Sequence, residues 1–345
     1  MTEHAHIRYP WDTPPGEGDA VLVADGVFWM RLPLPMGLDH VNVYALDDGD
    51  CWTIIDTGLA SKRGRAIWDR LLSGPLAGKP VGRVIVTHHH PDHVGLAGWF
   101  IGCGAVLAMP RTGWLMARML TLDEQAVPDP RALEFYQRAG MDAAEFERRK
   151  TERPFNFADC VAPLPLGYTR LIDRRTIEIG GRMWDIRMGH GHAPEHATFW
   201  SRDDNLVIGG DQLLPSISPN LGVYPTEPDA DPVGDWLTSC AAFQTIAEER
   251  HLVLPGHKLP FTGLPKRLHQ KIENHHGALE RLLAHLKEPH SAGESFLPLF
   301  KRQIGPGGEY GLALVEAVAH MNHLHQTGRI TRSLRDDGAW VYQAV

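Results

Sequence analysis

Four side chains able to hold a metal, His88, His90, Asp92 and His93, crowd the exit of an apolar run, Val81-Gly-Arg-Val-Ile-Val-Thr87. A run this short and rich in valine and isoleucine reads as a buried strand, and Pro91 marks where it must stop. The H-x-H-x-D-H spacing then constrains what can follow. His88 and His90 lie two apart in a loop and project to one side, where they can share an ion, while Asp92 and His93 face a second position. His89 points away from its neighbours. Three more apolar strands end in the same kind of residue: IRMGHGHAPEH in His192, LVIGGD in Asp211 and LVLPGH in His257. Imidazole and carboxylate are donors that suit zinc, with iron or manganese as alternatives.

The chain has 20 histidines but only 4 cysteines. Cys51, Cys103, Cys160 and Cys240 form no CxxC pair and no disulfide framework, so a reducing, cytoplasmic setting is expected. No window approaches the ~18–20 apolar residues of a membrane span, and MTEHAHIRYPWD lacks the apolar core of a secretory signal. A length of 345 residues suggests two domains, or one large domain with an appendage.

Strands are expected in sequence over 26–35, 40–50 and 51–58, with a turn at Asp47-Asp-Gly-Asp50. A helix follows from Ser61, its N-cap, to Leu72, and another covers about 94–102. Residues 111–150 read as a helical insertion broken at Pro128 and Gly140. Strand texture resumes up to Asp211, and a proline-rich loop leads to a helix at about 233–249. The rest is mostly helical, ending in a hairpin that turns at Asp336-Asp-Gly338. His320 and His323 share a helix face and read as packing or surface; His4 and His6, at the terminus, need no role.

In these motifs the chain resembles the metallo-β-lactamase superfamily. Thr87–His93 is similar to its signature loop, and Gly191-His-Ala-Pro-Glu-His196, Gly209-Gly-Asp211 and Pro255-Gly-His257 match its later motifs in order; Ile54-Ile-Asp-Thr-Gly58 resembles its early strand and turn. The resemblance implies an α/β (α+β) fold, a four-layer αββα sandwich over residues 1–261 with two divalent metal ions along one edge. By that match His88, His90 and His192 hold one ion, Asp92, His93 and His257 the other, and Asp211 bridges them. Asp56 and His196 orient ligands without touching metal. Two cations sharing a water would lower its pKa from 15.7 toward ~7, making a hydroxide able to attack a carbonyl, with Asp92 as the catalytic carboxylate.

Departures narrow the reaction. The true β-lactamases lack an aspartate at the bridging position, the flavodiiron branch has glutamate where His90 stands, and lactone hydrolases of the quorum type carry a tyrosine near where Gln212 follows Asp211. The expected activity is a metal-dependent hydrolase of carboxylic esters, thioesters or lactones; the alternative is a phosphodiesterase or nuclease using the same metals. Pocket candidates rest on proximity in the chain: Asn220, Tyr224 and Glu227 after Asp211, and Trp114, Met116 or Tyr136 in the insertion, read as a lid. Glu195 stands where many relatives have glycine, at the pocket rim or facing solvent.

Residues 262–345 resemble a small, mainly helical, winged-helix-like C-terminal domain. Winged helices often bind DNA, but this segment holds 10 Lys+Arg against 8 Asp+Glu, a net of +2, and leaves −10 on the remainder. Duplex binding calls for a basic stripe, so a nucleic-acid-binding regulator is the minority reading. The partners expected are a small-molecule substrate and a second copy in a homodimer.

Overall fold

The computed structural model describes residues 6–345; His4 lies outside the described residues. The chain forms two compact units. The first takes the residues up to Glu124, Asn156–Pro219 and Ile246–Arg267; the second takes Gln125–Phe155, Asn220–Thr245 and Leu268–Val345. A linear division at 261/262 does not show this interleaving.

The first unit contains two sheets. One has seven strands in chain order: β1 (Val21–Ala24), β2 (Val27–Pro33), β3 (His40–Asp47), β4 (Trp52–Ile55), β5 (Val81–Ile85), β6 (Val106–Pro110) and β7 (Thr169–Leu171). Pairing is antiparallel as far as β4 and parallel from β4 to β7. Helices α1 (Lys62–Ser73), α2 (Pro91–Val94), α3 (Ala97–Gly102) and α4 (Arg111–Leu122) belong with it. The Ser61 hydroxyl caps α1 by accepting from the Gly64 amide. The second sheet runs β12 (Leu252–Pro255), β11 (Leu206–Gly210), β10 (His196–Ser201), β9 (Arg182–Gly189), β8 (Thr176–Ile179).

Alternation along β2 shows why these strands read as continuous apolar runs. Val27 and Trp29 join Trp184, Ile186, Phe199 and Leu254 in a core between the sheets. Met30 and Leu32, on the other face, join Ile67, Trp68, Leu71 and Phe100 in a core under the helices. A strand buried on both faces has no polar face to display. The layering gives the α/β sandwich expected. The ends of β5, β9, β11 and β12 lead into the loops that carry the motif residues.

The second unit contains α5 (Pro130–Arg138), α6 (Ala143–Thr151), α7 (Pro232–Gln244), most of α8 (Leu264–His285), α9 (Phe296–Phe300), α10 (Gly308–Gln326) and the hairpin β13 (Ile330–Leu334) and β14 (Trp340–Ala344). Helix α10 buries eleven of its residues, from Tyr310 to Leu324, and leaves a more open stripe through Glu309 and Leu312, which makes it largely a core helix.

Three boundaries differ from expectation. The helix expected over 94–102 is two short ones, α2 and α3, and the helix expected to Glu249 ends at Gln244. The insertion is not one body: Arg111–Leu122 belongs to the first unit and Pro130–Thr151 to the second. Among the described residues no helix is long and apolar enough to cross a membrane.

Candidate metal centre

All seven motif residues lie in the first unit, at the ends of strands from both sheets. His88 Nε2 is 3.0 Å from His90 Nδ1, which is 2.9 Å from His192 Nε2. Asp211 reaches both sides of the cluster. Its Oδ2 lies 3.3 Å from His192 Nε2 and 3.2 Å from His257 Nε2, and its Oδ1 lies 3.4 Å from His93 Nε2. Asp92 Oδ2 stands 3.4 Å from His257 Nε2 and 3.6 Å from His93 Nε2. Three groups have the spacing to hold an ion: His88, His90, His192; His88, His93, Asp211; and Asp92, His93, His257.

The far side of three of these rings is tied, which decides the nitrogen that faces inward. His93 Nδ1 lies 2.7 Å from Asp56 Oδ2, and His257 Nδ1 donates to the His40 carbonyl at 2.7 Å. His88 Nδ1 meets the Thr87 hydroxyl at 3.0 Å. The inward nitrogens are Nε2 of His88, His93, His192 and His257, and Nδ1 of His90. Asp56 also accepts from the Thr87 amide and hydroxyl, both at 2.8 Å, so one carboxylate fixes the strand exit and the His93 ring together. It does so from a left-handed backbone, φ 58°, a strained state that the surrounding bonds must hold. Thr57 completes the support, its hydroxyl donating to the His93 carbonyl.

Glycines at the strand ends make room. A Cβ on Gly256 would collide with the Asp211 carboxylate and lie 2.9 Å from His93 Cε1; one on Gly210 would lie 2.7 Å from His196 Nε2. His196 Nε2 accepts from the Asp211 amide at 3.0 Å while its ring stacks on His88. His89 joins none of the three groups and lies parallel to Phe157.

Electrostatics separate the cluster into donors and charge. Burial, with the other histidines nearby, pushes His88 and His90 well below the ordinary imidazole range. Burial opposes charge on His93 and His257 too, but the carboxylates of Asp211 and Asp92 outweigh it; His93 is raised well above its usual value and His257 to about 10. Asp211 is held well below the carboxylate range, and Asp92 below it, because the facing histidines overcome burial. The carboxylates of Asp211 and Asp92 thus draw positive charge into the cluster.

That donor set fits a divalent cation. Three inward nitrogens lie in contacts of 3.0 Å or less, close enough to share one cation; tetrahedral zinc at ~2.0–2.1 Å per nitrogen separates its ligands by about 3.3 Å. His93 Nε2 and Asp211 Oδ1 are buried without a hydrogen bond among the described residues, a state that calls for an explanation.

The other expected residues are divided between the two units. Asn220, Tyr224, Glu227 and Tyr136 belong to the second unit, where the Asn220 amide donates to the Leu312 carbonyl and to the Glu316 carboxylate. Trp114 and Met116 are on α4; Trp114 stacks on Tyr168. Glu195 faces neither solvent nor ligand alone: its Oε2 accepts from the Thr112 amide at 2.6 Å, fastening the first turn of α4 to the loop of His192. Missed altogether were His40, Asn42 and Tyr44, which grip the loop of His257. Their signal was there: polar groups at alternate positions of an apolar strand.

The model of the Metallo-beta-lactamase superfamily matches residues 36–257, and that of the Metallo-beta-lactamase-like, C-terminal domain matches 279–345. A probable metallo-hydrolase, YqjP, of Bacillus subtilis (strain 168) is 26% identical over 319 residues, 90% of this chain and 95% of that one. A beta-lactamase domain protein from Burkholderia ambifaria superposes with a TM-score of 0.91 at 35% identity, covering 98% of both chains. For a metallo-beta-lactamase family protein from Thermus thermophilus the TM-score is 0.77 at 25% identity, over 94% of this chain and 100% of the other. Fold, motif order and these relatives agree: the chain belongs to the metallo-beta-lactamase superfamily.

Proposed function

We propose that this metal-dependent hydrolase holds two divalent ions, zinc in the first instance, and cleaves a carboxylic ester, thioester or lactone of a small molecule. The observation that carries the reading is the Asp211 carboxylate, whose two oxygens face His93 on one side and His192 and His257 on the other. His88, His90 and His192 would hold one ion, Asp92, His93 and His257 the second, with Asp211 between them. Ions bound there supply Lewis acidity and an acidified water at neutral pH. The chain's own part is positioning. Asp92 is the more open carboxylate, its side chain 21% exposed against 7% for Asp211. Kept deprotonated, it is placed to orient the attacking water and take up its proton. Asp56 and His196 hold His93 and the Asp211 backbone in register.

The nucleic-acid alternatives lose support in the second unit. Helix α10, where a winged helix would read DNA, holds no lysine or arginine, and its more open stripe of Glu309, Leu312, Glu316 and His323 carries two carboxylates. The arginines at the wing are paired: Arg329 with Glu280, Arg332 with Asp229, Arg335 with Glu294 and Asp337. Four free cysteines fit a reducing compartment, the cytoplasm on this reading.

Metal analysis of purified protein should give about two ions per chain, and chelation should abolish turnover. A panel of thioesters, aryl esters and lactones should be cleaved faster than bis(4-nitrophenyl) phosphate. Activity that survives chelation removes the metal mechanism; faster phosphodiester cleavage moves the enzyme to the phosphodiesterase class.

A further inference from the structure

The loop that carries His257 has little means of holding itself. It leaves β12 at Pro255, which has no amide hydrogen to donate. Gly256 follows, where any side chain would strike Asp211, and Lys258 sits in the left-handed region at φ 69°. Its own sheet supplies one bond, from the Gly256 amide to the Gly210 carbonyl at 2.8 Å; most of the restraint comes from the opposite sheet. Asn42 Nδ2 donates to the Pro255 carbonyl at 2.9 Å and to the Lys258 carbonyl at 2.8 Å. The Tyr44 hydroxyl donates to the Pro255 carbonyl at 2.8 Å, and the Asn42 amide donates to the Gly256 carbonyl at 2.6 Å. Arg31 adds a second donor to the Lys258 carbonyl at 2.8 Å. His40 closes the set: its ring accepts from the Lys258 amide, and its carbonyl accepts from His257 Nδ1.

Asn42 is the centre of this arrangement. It is 1% exposed, and its Oδ1 accepts from Trp29 Nε1 at 2.9 Å and Arg31 Nε at 3.0 Å. Both donors and both acceptor positions of one amide are thereby used, which locks its orientation. None of these contacts reaches His88, His90 or His192.

We infer that His40, Asn42 and Tyr44 form an inter-sheet clasp that positions His257, and so sets the affinity of the second metal position while leaving the first untouched. These are positioning residues, acting on the ion only through His257. The inference rests on the two-ion reading proposed above.

The test is stepwise zinc binding by the metal-free full-length protein, followed by competition with a chromogenic chelator, for wild type, Tyr44→Phe and Asn42→Ala. Asn42→Ala should weaken the second equivalent by roughly 10–100-fold, the range for lost outer partners of a ligand, and Tyr44→Phe by a smaller factor, with the first equivalent unchanged within about twofold. A Co2+ titration should show the same split in its absorption bands. If Asn42→Ala does not fold, Tyr44→Phe, which removes one hydroxyl, still decides. Equal weakening of both equivalents, or none in a folded variant, overturns the clasp. A wild type that binds fewer than two ions overturns the two-ion reading, and the clasp with it.

Discussion

Asp56 shows how much one side chain can carry. Its carboxylate serves the Thr87 amide, the Thr87 hydroxyl and His93 Nδ1 from a strained backbone. Asp56→Ala strands three buried partners, and metal affinity should fall roughly 10–100-fold, read by chelator competition; an unchanged affinity would deny Asp56 its orienting part. The local cluster at 88–93 was legible because its chemistry lies in one short segment. Asp211 and His257 were legible through their place after apolar strands. Asn42 and Tyr44 were not, since their roles depend on a partner more than 200 residues away, and nothing in a strand pattern names that partner.

At the scale of elements, the ligands depend on strand ends that carry no side chain. Gly256→Ala should abolish tight metal binding, because its Cβ needs the space that the Asp211 carboxylate occupies. Gly102→Ala, at the end of α3 with nothing within 4 Å, is the control; it should hold metal normally and gain up to about 1 kcal/mol in chemical denaturation. Equal metal contents in the two variants would contradict this account. Most strands and the N-cap of α1 could be read from periodicity. The break between α2 and α3 could not, because apolar residues run from Val94 into α3 and the residues between the two helices, Gly95 and Leu96, are no obvious stop.

On the scale of the whole molecule, the second unit has its own sensitivity to pH. Burial raises Glu316 to about 7, against the lowering effect of its bond from Asn220. An acid whose folded pKa lies above its unfolded value binds more protons when folded, so its contribution weakens as pH rises from about 4.5 to about 7. Glu316→Gln should remove that loss, gaining on wild type across this window by at most about 3 kcal/mol. Melting curves at pH 5 and pH 8 check it; a gap that does not widen with pH rules it out. A labelled duplex should bind no tighter than ~1 μM near physiological salt; tighter, salt-dependent binding would restore the nucleic-acid reading. The split of 125–155 and 220–245 into this unit was hidden from the sequence, since an amphipathic helix declares that it has an apolar face but not which core will take it.

The seven proposed ligands come from segments centred near residues 90, 192, 211 and 257, and the support at Asp56 and His40 comes earlier still. A metal ion held by those ligands would report on assembly: only a chain whose two sheets have already docked could hold it tightly. Such contacts, distant in sequence, form late and slowly. During synthesis a chain that has not yet yielded His257 lacks a ligand of the second position and the loop that the clasp grips. On the two-ion reading, loading would therefore be a final check on a finished sandwich, and an enzyme built this way would stay silent until its own folding is complete.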